Sequence, residues 1–252
     1  MSFEKYSYYY DLLYEDKNYE SEVEYVKTKL LKQKQNVKTI LEFGSGTGRH
    51  ARLLAQKGFE VYCIEKSQTM IDKAHSEINR LNHQSVHLEQ GDLRKVRIGK
   101  TFDAVIALFH VLSYQTSNLD AQAMFETAAI HLDTGGLFLF DCWYGPAVLT
   151  DRPETRVKTA EDNTVEVIRI AKPVMFPNKN IVEVHYKLLA IEKSSANFQQ
   201  INEVHPMRYF FLPEIELMLE SSKFKLISTE NWLDSEKLGF STWNATFIAE
   251  KQ

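Results

Sequence analysis

Apolar residues along this chain follow two periods that alternate with each other. Short apolar runs, typical of strands buried in a parallel sheet, are followed by stretches in which apolar residues recur at every third or fourth position, as on one face of a helix. Helical spacing begins near Glu20 and returns between most of the apolar runs. The predicted strands are residues 37–43, 60–65, 86–89, 102–109 and 137–142. This alternation predicts an α/β fold with a doubly wound, mostly parallel sheet.

The pattern changes after Cys142, where long extended runs follow each other without helical spacing. Turn-forming residues, among them Pro173 and Pro177, separate these runs. The runs are residues 165–170, 181–191 and 199–211. Apolar and charged residues alternate along the second run, as expected for strands with one buried face. We therefore expect an antiparallel β insertion after the fifth strand.

The last part of the chain returns to the main sheet. Pro213 is placed at the start of a predicted helix, a position that tolerates its missing N–H. Two strands follow, at residues 224–228 and 243–249, and the loop between them is too short for a crossover helix. An antiparallel pair at the end of the chain is the expected result, which brings the sheet to seven strands.

These boundaries divide the chain into a main domain and an inserted sheet. The main domain is expected to comprise residues 1–144 and 212–252, and the insertion residues 145–211. Residues 1–36 supply an N-terminal lid and a helix to the main domain. The insertion leaves from the end of the fifth strand, so we expect it to cover an acceptor site rather than a cofactor site.

The sequence LEFGSGTGRHA, residues 41–51, joins the first predicted strand to the next helix. Its glycines allow the backbone to turn tightly and to approach a ligand. The N–H groups at the start of the following helix attract a carboxylate or a phosphate. The stretch also satisfies the G-x-G-x-x-A dinucleotide pattern, and Glu65 is placed to hold a ribose in either case. This motif alone leaves S-adenosylmethionine and a nicotinamide dinucleotide both open.

With three further features, the chain resembles the class I S-adenosylmethionine-dependent methyltransferases over nearly its whole length. Glu42 opens an E-x-G-x-G-x-G loop, Glu65 ends the second strand, and Gly91-Asp92-Leu93 follows the third. The resemblance implies a Rossmann-like methyltransferase fold that binds S-adenosylmethionine. The cofactor-binding residues that it implies are Tyr14, Tyr19, Glu42, Gly44, Gly46, Gly48, Glu65, Lys66, Met70, Gly91, Asp92, Leu93, Leu108 and Phe109.

Two segments are similar to the amino-sugar N,N-dimethyltransferases of deoxysugar biosynthesis. One is YYDLLYEDKNY, residues 9–19, which in that family folds over the cofactor; the other is the β-rich insertion. The chain departs from that family at residues 109–113 and 207–210, where an acceptor would bind. The resemblance implies a small-molecule acceptor, either the amine of a nucleotide-linked amino sugar or, as the alternative, a hydroxyl group of another small metabolite.

Two histidines are candidates for contact with the acceptor. His110 follows the fourth strand, at the edge of the sheet where ligands bind in such folds, and His205 lies in the insertion. Arg208, close to His205 in the sequence, is the third candidate for the acceptor site. A hydroxyl acceptor needs a general base more than an amine does. Six tyrosines lie among the first nineteen residues. They either pack together or form a lid whose ring faces lie near the sulfonium.

Composition narrows the classes of partner, the cellular location and the kinds of bound metal that are expected. A net charge of −4 does not favour a nucleic-acid partner, and no apolar run approaches the ~18 residues of a membrane span. No signal peptide is visible, and two cysteines in apolar runs favour the cytoplasm. The spacing of histidines, including His83 and His87, does not predict a metal site. A monomer or homodimer is expected. The more distant alternatives are an NAD-dependent oxidoreductase and a non-catalytic S-adenosylmethionine-binding module.

Overall fold

A computed structural model describes residues 5–81, 84–195 and 197–252 of the chain. The strands are β1 Thr39–Phe43, β2 Glu60–Glu65, β3 Val86–Gln90, β4 Phe102–Ala107, β5 Leu132–Tyr144, β6 Arg156–Glu161, β7 Val165–Phe176, β8 Ile181–Glu192, β9 Phe198–Phe210, β10 Phe224–Asn231 and β11 Asn244–Lys251. The helices are α1 Tyr10–Leu13, α2 Tyr19–Gln33, α3 Arg49–Gln56, α4 Gln68–Leu81, α5 Asn118–Ile130, α6 Gly145–Thr150 and α7 Leu212–Ser221. Short 3-10 turns span Tyr6–Tyr9, Leu112–Tyr114 and Pro177–Lys179.

The main sheet has the order β3-β2-β1-β4-β5-β11-β10. Strands β1 to β5 run parallel to one another, and β11 is antiparallel to both of its neighbours. Helices α5 and α7 pack on one face through buried residues such as Phe125 and Ile215. Helices α2, α3 and α4 cover the other face. The predicted doubly wound sheet with a terminal antiparallel pair is therefore confirmed.

Local signals in the sequence account for several helix ends. Asn18 caps α2 by accepting the N–H of Ser21 at 3.0 Å, and Ser117 caps α5 by accepting the N–H of Asp120 at 3.0 Å. Gly58, just after α3, has a φ of 95°, which is the left-handed conformation expected of a glycine at a helix C-terminus. These ends fix where each crossover returns to the sheet.

The insertion forms an antiparallel sheet in the order β9-β8-β7-β6. It joins the main sheet where β9 pairs in parallel with β5, at Trp143↔Tyr209 and Tyr144↔Phe210. The predicted antiparallel insertion after the fifth strand is confirmed. Its edge strand β6 was not predicted, because its residues are largely exposed on both faces and give no hydrophobic alternation. Helix α6 was also missed, since six residues are too few to show a helical period.

Two predicted boundaries shift near the carboxyl edge of the sheet. Strand β4 ends at Ala107 rather than Phe109, because Phe109 and His110 adopt left-handed backbone conformations, with φ of 65° and 66°. Strand β5 is longer than predicted and includes the Asp133-to-Gly136 stretch that the sequence marks as a turn. The described residues contain no helix long and apolar enough to cross a membrane.

The N-terminal segment packs against the inserted sheet and also contacts the loop after β1. Tyr6 and Leu13 are buried against Val167, Leu188 and neighbouring residues of the inserted sheet. The backbone N–H groups of Lys5 and Tyr6 both donate to a carboxylate oxygen of Glu203, at 2.8 Å each. The segment therefore bridges the inserted sheet and the carboxyl edge of the main sheet.

Replacing Gly145 with alanine should destabilise the junction between β5 and the insertion. A Cβ at Gly145 would lie 2.5 Å from Cζ of Phe211, so the ring must be displaced, and overpacking of this kind costs about 1–3 kcal/mol. Gly239→Ala is the matched control, because a Cβ there meets no atom within 4 Å. Urea unfolding should show a lower midpoint for Gly145→Ala only. Equal midpoints for the two variants would show that the Phe211 ring moves freely.

Candidate active site

A cavity of about 940 Å³ opens at the carboxyl edge of the main sheet. It is bounded by the loops that follow β1 to β4, by the N-terminal segment and by residues of the inserted sheet. Most of the predicted cofactor residues line it. They are Tyr14, Tyr19, Gly44, Gly46, Glu65, Lys66, Met70, Gly91, Asp92, Leu93, Leu108 and Phe109. Residues far apart in the chain thus line one cavity.

Glu42 and Gly48, two of the predicted cofactor residues, are not among the described residues that line the cavity. The Glu42 side chain is buried behind the loop, 3.8 Å from Nδ1 of His50 and 3.9 Å from Sγ of Cys63. Gly48 has a φ of 71° and lies at the N-terminus of α3, where a Cβ would contact Ala74. The structure therefore gives both residues a supporting position instead of a direct contact with a ligand.

The loop after β1 owes its shape to left-handed glycines. Gly44 has a φ of 66°, and a Cβ there would lie 2.7 Å from Cγ2 of Val111. Gly46 has a φ of 57°, and a Cβ there would meet nothing within 4 Å. A side chain at Gly44 thus collides with the protein, whereas one at Gly46 strains the backbone and occupies open space.

Glu65, at the end of β2, is fixed by backbone groups. Its carboxylate accepts the N–H of Gly46 at 2.9 Å and those of Lys66 and Ser67 at 2.8 Å each. Burial raises the pKa of Glu65, although these hydrogen bonds act in the opposite direction. A carboxylate has about four lone-pair sites, so three such bonds leave it able to accept a further hydroxyl group.

Asp92 follows β3 and is held by Arg94. The guanidinium donates to both carboxylate oxygens, with Nε 2.8 Å from Oδ1, and hydrogen bonding to Arg94 holds the pKa of Asp92 well below its usual value. Arg94 also pairs with Asp120 at the start of α5. Asp92 is therefore a fixed negative charge at the cavity wall.

The N-terminal tyrosines lie over the cavity. Tyr6, Tyr8 and Tyr10 line it together with Tyr14 and Tyr19. The segment is tied to the glycine loop through Asp11, which accepts a hydrogen bond from the Thr47 hydroxyl at 2.7 Å and pairs with Nε of Arg49 at 3.1 Å. Arg169 of the inserted sheet donates to the hydroxyls of Tyr6 and Tyr14, at 3.0 and 3.2 Å.

His110 and His205 both line the cavity, on the side of the inserted sheet. Nδ1 of His110 lies 2.8 Å from Oδ2 of the buried Asp141. His205 is held at both ring nitrogens, by the hydroxyl of Tyr114 at 3.2 Å and by Glu203 at 3.0 Å. Burial lowers the pKa of His205 although Glu203 opposes this, which favours a neutral ring.

The position of Arg208 requires a correction. It is not among the described residues that line the cavity, and its guanidinium pairs with Glu214 of α7 at 2.7 Å and lies 4.6 Å from the centre of the Phe210 ring. Side chains alternate along β9, and the pairing with α7 takes Arg208 away from His205. Its position fits a contact between the insertion and α7, so we no longer place it at the acceptor.

Sequence reasoning missed several cavity residues. Thr47 and Arg49 lie within the glycine-loop motif, which names only its glycines as contacts. Tyr114 and Tyr186 reach the cavity only through tertiary contacts, and no local motif marks them. Asp141 does not line the cavity itself but lies beside His110, and it carried a signal because it is the one acidic residue in the apolar run 137–142. Within the described part of the chain no cluster of three or more metal-ligating side chains occurs; His83 lies outside that part.

Glu42→Gln should change how stability depends on pH. Burial, and secondly the charge of Glu65, raise the pKa of Glu42 from 4.5 to about 8. The folded protein therefore binds more protons than the unfolded chain across that window, and stability falls as pH rises through it. One pKa unit corresponds to about 1.4 kcal/mol, so the variant should gain roughly 2–4 kcal/mol near pH 8 and little near pH 5.

Thermal unfolding from pH 5 to 9 measures this effect. Glu126→Gln, at an exposed position on α5, serves as the control and should follow the wild type at every pH. A Glu42→Gln variant that parallels the wild type across the whole range would show that Glu42 is already ionised in the folded protein.

Known proteins resemble this chain in sequence. A family model described as a methyltransferase domain matches residues 40–136, which include the glycine loop, Glu65 and Asp92. The chain is 26% identical over 209 residues to the dTDP-3-amino-3,4,6-trideoxy-alpha-D-glucopyranose N,N-dimethyltransferase of Streptomyces venezuelae, covering 82% of this chain and 84% of that protein. It is 24% identical over 197 residues to the dTDP-3-amino-3,6-dideoxy-alpha-D-glucopyranose N,N-dimethyltransferase of Streptomyces fradiae, covering 77% of this chain and 75% of that protein.

A solved structure shares the fold. The S-adenosylmethionine-dependent methyltransferase from Clostridium acetobutylicum superposes with a TM-score of 0.82 at 18% identity, covering 98% of each chain. The resemblance to the class I enzymes and to the amino-sugar N,N-dimethyltransferases is confirmed. With the methyltransferase domain matched and the fold shared throughout, the protein is an S-adenosylmethionine-dependent methyltransferase.

Proposed function

We propose that this enzyme transfers a methyl group from S-adenosylmethionine to the amine of a nucleotide-linked amino sugar. The observation that carries the proposal is the continuity of the cavity. Its wall passes from Glu65 and Asp92, at the ends of β2 and β3, to His110, Tyr114 and His205 on the side of the insertion. At about 940 Å³ it lies near the upper end of the range for drug-sized ligands, which suits two molecules side by side.

The residues of the first half fit S-adenosylmethionine. We assign the methionine portion to the open space beside Gly46 and the start of α3, where N–H groups favour a carboxylate. We assign the ribose hydroxyls to Glu65 and the adenine to Asp92 and Leu93, with Lys66, Met70, Gly91 and Leu108 around them. Glu42, Gly44 and Gly48 hold the loop in shape. We assign Tyr14, Tyr19 and Phe109 to the wall around the sulfonium, where Lys17 lies over the Tyr19 and Phe109 rings.

When bound, the cofactor supplies a methyl group on a sulfonium, which is already an excellent leaving group. The chain has to hold the acceptor in line with that methyl group at about 3 Å and keep water out. The tyrosines of the N-terminal segment are placed to exclude water, because Asp11, Thr47 and Arg49 tie the segment to the glycine loop.

The acceptor half is formed largely by aromatic rings. Tyr114, Trp143 and Tyr186 line it together with His110 and His205. Two relatives are named as N,N-dimethyltransferases of nucleotide-linked amino sugars, which supports an amine acceptor of that class. Methylation of a hydroxyl group on another small metabolite remains the second candidate, and the observation that favours it is the pairing of His110 with Asp141. Because both cysteines are unpaired and buried, we place the enzyme in the cytoplasm. Its assembly as a monomer or homodimer stays a prediction.

Glu65→Ala should weaken binding of S-adenosylmethionine, because the ribose hydroxyls would lose a charged acceptor. The expected loss is about 1–3 kcal/mol, or roughly 5- to 150-fold in Kd.

Gly46→Val should abolish binding, since its side chain would fill the space assigned to the methionine portion. Calorimetric titration measures both, and Gly239→Ala serves as the control. An unchanged Kd for Glu65→Ala would remove that residue from the ribose, and tight NADH binding without S-adenosylmethionine binding would refute the cofactor assignment.

His205→Ala should affect the acceptor and leave the cofactor alone. We expect a lower kcat or a higher acceptor KM with dTDP-linked 3-amino sugars, while the Kd of S-adenosylmethionine stays within about threefold. His185→Ala, an exposed histidine on the neighbouring strand β8, is the matched control. Loss of cofactor binding in a folded His205→Ala variant would place the insertion in the cofactor site. If no amino sugar is methylated while hydroxyl acceptors are, the second candidate replaces the first.

A further inference from the structure

Asp141 is a buried carboxylate that contacts His110, and His110 lines the acceptor half of the cavity. Asp141 lies in β5 and is 1% exposed. Its two oxygens each lie 3.1 Å from the backbone nitrogen of His110, which donates to them, and Oδ2 lies 2.8 Å from Nδ1 of the same residue. A buried carboxylate is costly unless it is hydrogen-bonded. Asp141 therefore fixes the backbone of His110 by hydrogen bonds, and its charge lies within ion-pair distance of the His110 ring.

The backbone at this point is strained. Phe109 and His110 both have left-handed φ values, 65° and 66°, and such conformations cost about 1–3 kcal/mol at non-glycine residues. The hydrogen bonds from the His110 N–H to Asp141 offset part of that cost. The chain leaves β4 in this way with the His110 ring lying at the cavity and its Nδ1 edge towards Asp141.

We propose that Asp141 is a positioning residue that presents Nε2 of His110 to the acceptor as a proton acceptor. The inference rests on the proposed function, since it takes the cavity beside His110 as the acceptor half. An ionised carboxylate only accepts hydrogen bonds. Next to it, Nδ1 carries the ring proton, and the lone pair of the neutral imidazole lies on Nε2, at the far edge of the ring.

The groups around the pair suit this role. The His110 ring lies between the rings of Phe109 and Trp143, with centroid distances of 5.2 and 6.2 Å. Lys17, before α2, interacts electrostatically with Asp141, and so does the His50 ring of α3, whose pKa is lowered by burial. Lys17 lies over the Phe109 ring and pairs with Glu22, which is also hydrogen-bonded to His50. Asp141 therefore remains the carboxylate that faces His110 directly.

The step that this arrangement performs is balanced as follows. The acceptor nitrogen forms a bond to the methyl carbon, and the bond between that carbon and sulfur breaks. The electron pair stays on sulfur, which becomes a neutral thioether. The acceptor nitrogen gains a positive charge and passes one of its protons to Nε2 of His110. Asp141 stabilises the resulting imidazolium without taking the proton, and the proton then leaves to solvent.

If Asp141 had a purely structural role, only its hydrogen bonds with the backbone N–H of His110 would matter, and its charge beside the ring would not. Asparagine at this position still offers an oxygen to that N–H, so Asp141→Asn keeps the structural contact and removes the charge. Asp103→Asn is the matched control. Asp103 also accepts backbone N–H groups, those of Lys38 and Thr39 at 2.9 and 3.0 Å, but it is not among the described residues that line the cavity.

The experiment measures the tautomer of His110 and the rate of methyl transfer in the same proteins. Long-range proton–nitrogen NMR spectra of the full chain with S-adenosylhomocysteine bound report which ring nitrogen carries the proton. The His110 signals are assigned by their absence in His110→Gln. Turnover with a dTDP-linked 3-amino sugar, together with the Kd of S-adenosylmethionine, is measured for the wild type, Asp141→Asn, His110→Gln and Asp103→Asn.

We expect the proton on Nδ1 in the wild type and a shift towards Nε2 in Asp141→Asn. Its kcat should fall by about 10²-fold, the lower end of general-base effects, while the acceptor KM and the cofactor Kd stay within about twofold. The kcat of His110→Gln should fall to the same degree. If Asp141→Asn does not fold, the kcat of His110→Gln tests whether His110 accepts the proton. Asp103→Asn should resemble the wild type in both measurements.

Two results would overturn the inference: a proton on Nε2 in the wild type, or a kcat within about twofold of the wild type in both Asp141→Asn and His110→Gln. Failure of the proposed function looks different. In that case the wild type methylates no amino sugar, and the tautomer measurement still decides whether Asp141 presents Nε2 of His110.

Discussion

Strand β1 is hydrogen-bonded on both sides, to β2 and β4, and from Ile40 to Phe43 every residue is buried. The chain can therefore leave the sheet only at the carboxyl end of β1, and it must turn at once towards a helix that covers the sheet. Gly44 provides that turn through its left-handed backbone. The position requires glycine, because any side chain there would collide with Val111. The position of the glycine loop, and so of the cavity, follows from this buried strand.

The neighbouring strands run parallel to β1, so each of them brings a polar side chain to the same edge of the sheet. Glu65 ends β2, Asp92 follows β3 and His110 follows β4, so three polar groups separated by tens of residues meet around one space. In a parallel sheet the crossovers return each strand in the same direction, which places the strand ends side by side. The polar groups at this edge are then fixed by backbone contacts, as Glu65 is by three N–H groups.

The insertion and the N-terminal segment complete the cavity from outside the sheet. They depend on each other, since Tyr6 and Leu13 are buried against the inserted sheet and Arg169 holds the hydroxyls of Tyr6 and Tyr14. Asp11 and Arg49 connect this unit to the glycine loop. The inserted sheet, the N-terminal segment and the glycine loop are thus connected by a short series of hydrogen bonds and ion pairs.

The sequence alone determined the fold, because hydrophobic periods are local signals. It indicated the cofactor only when Glu42, Glu65 and Gly91-Asp92-Leu93 were taken together with the glycine loop as a family resemblance. It placed Glu65, Asp92 and His110 at one edge, because strand ends can be read from the chain. It could not place Arg208, whose direction depends on Glu214 of a helix that packs beside β9. Nor could it join Asp141 to His110, because they meet only when β4 and β5 pair and the backbone adopts two successive left-handed residues. Contacts of this kind are set by tertiary packing, which no local pattern encodes.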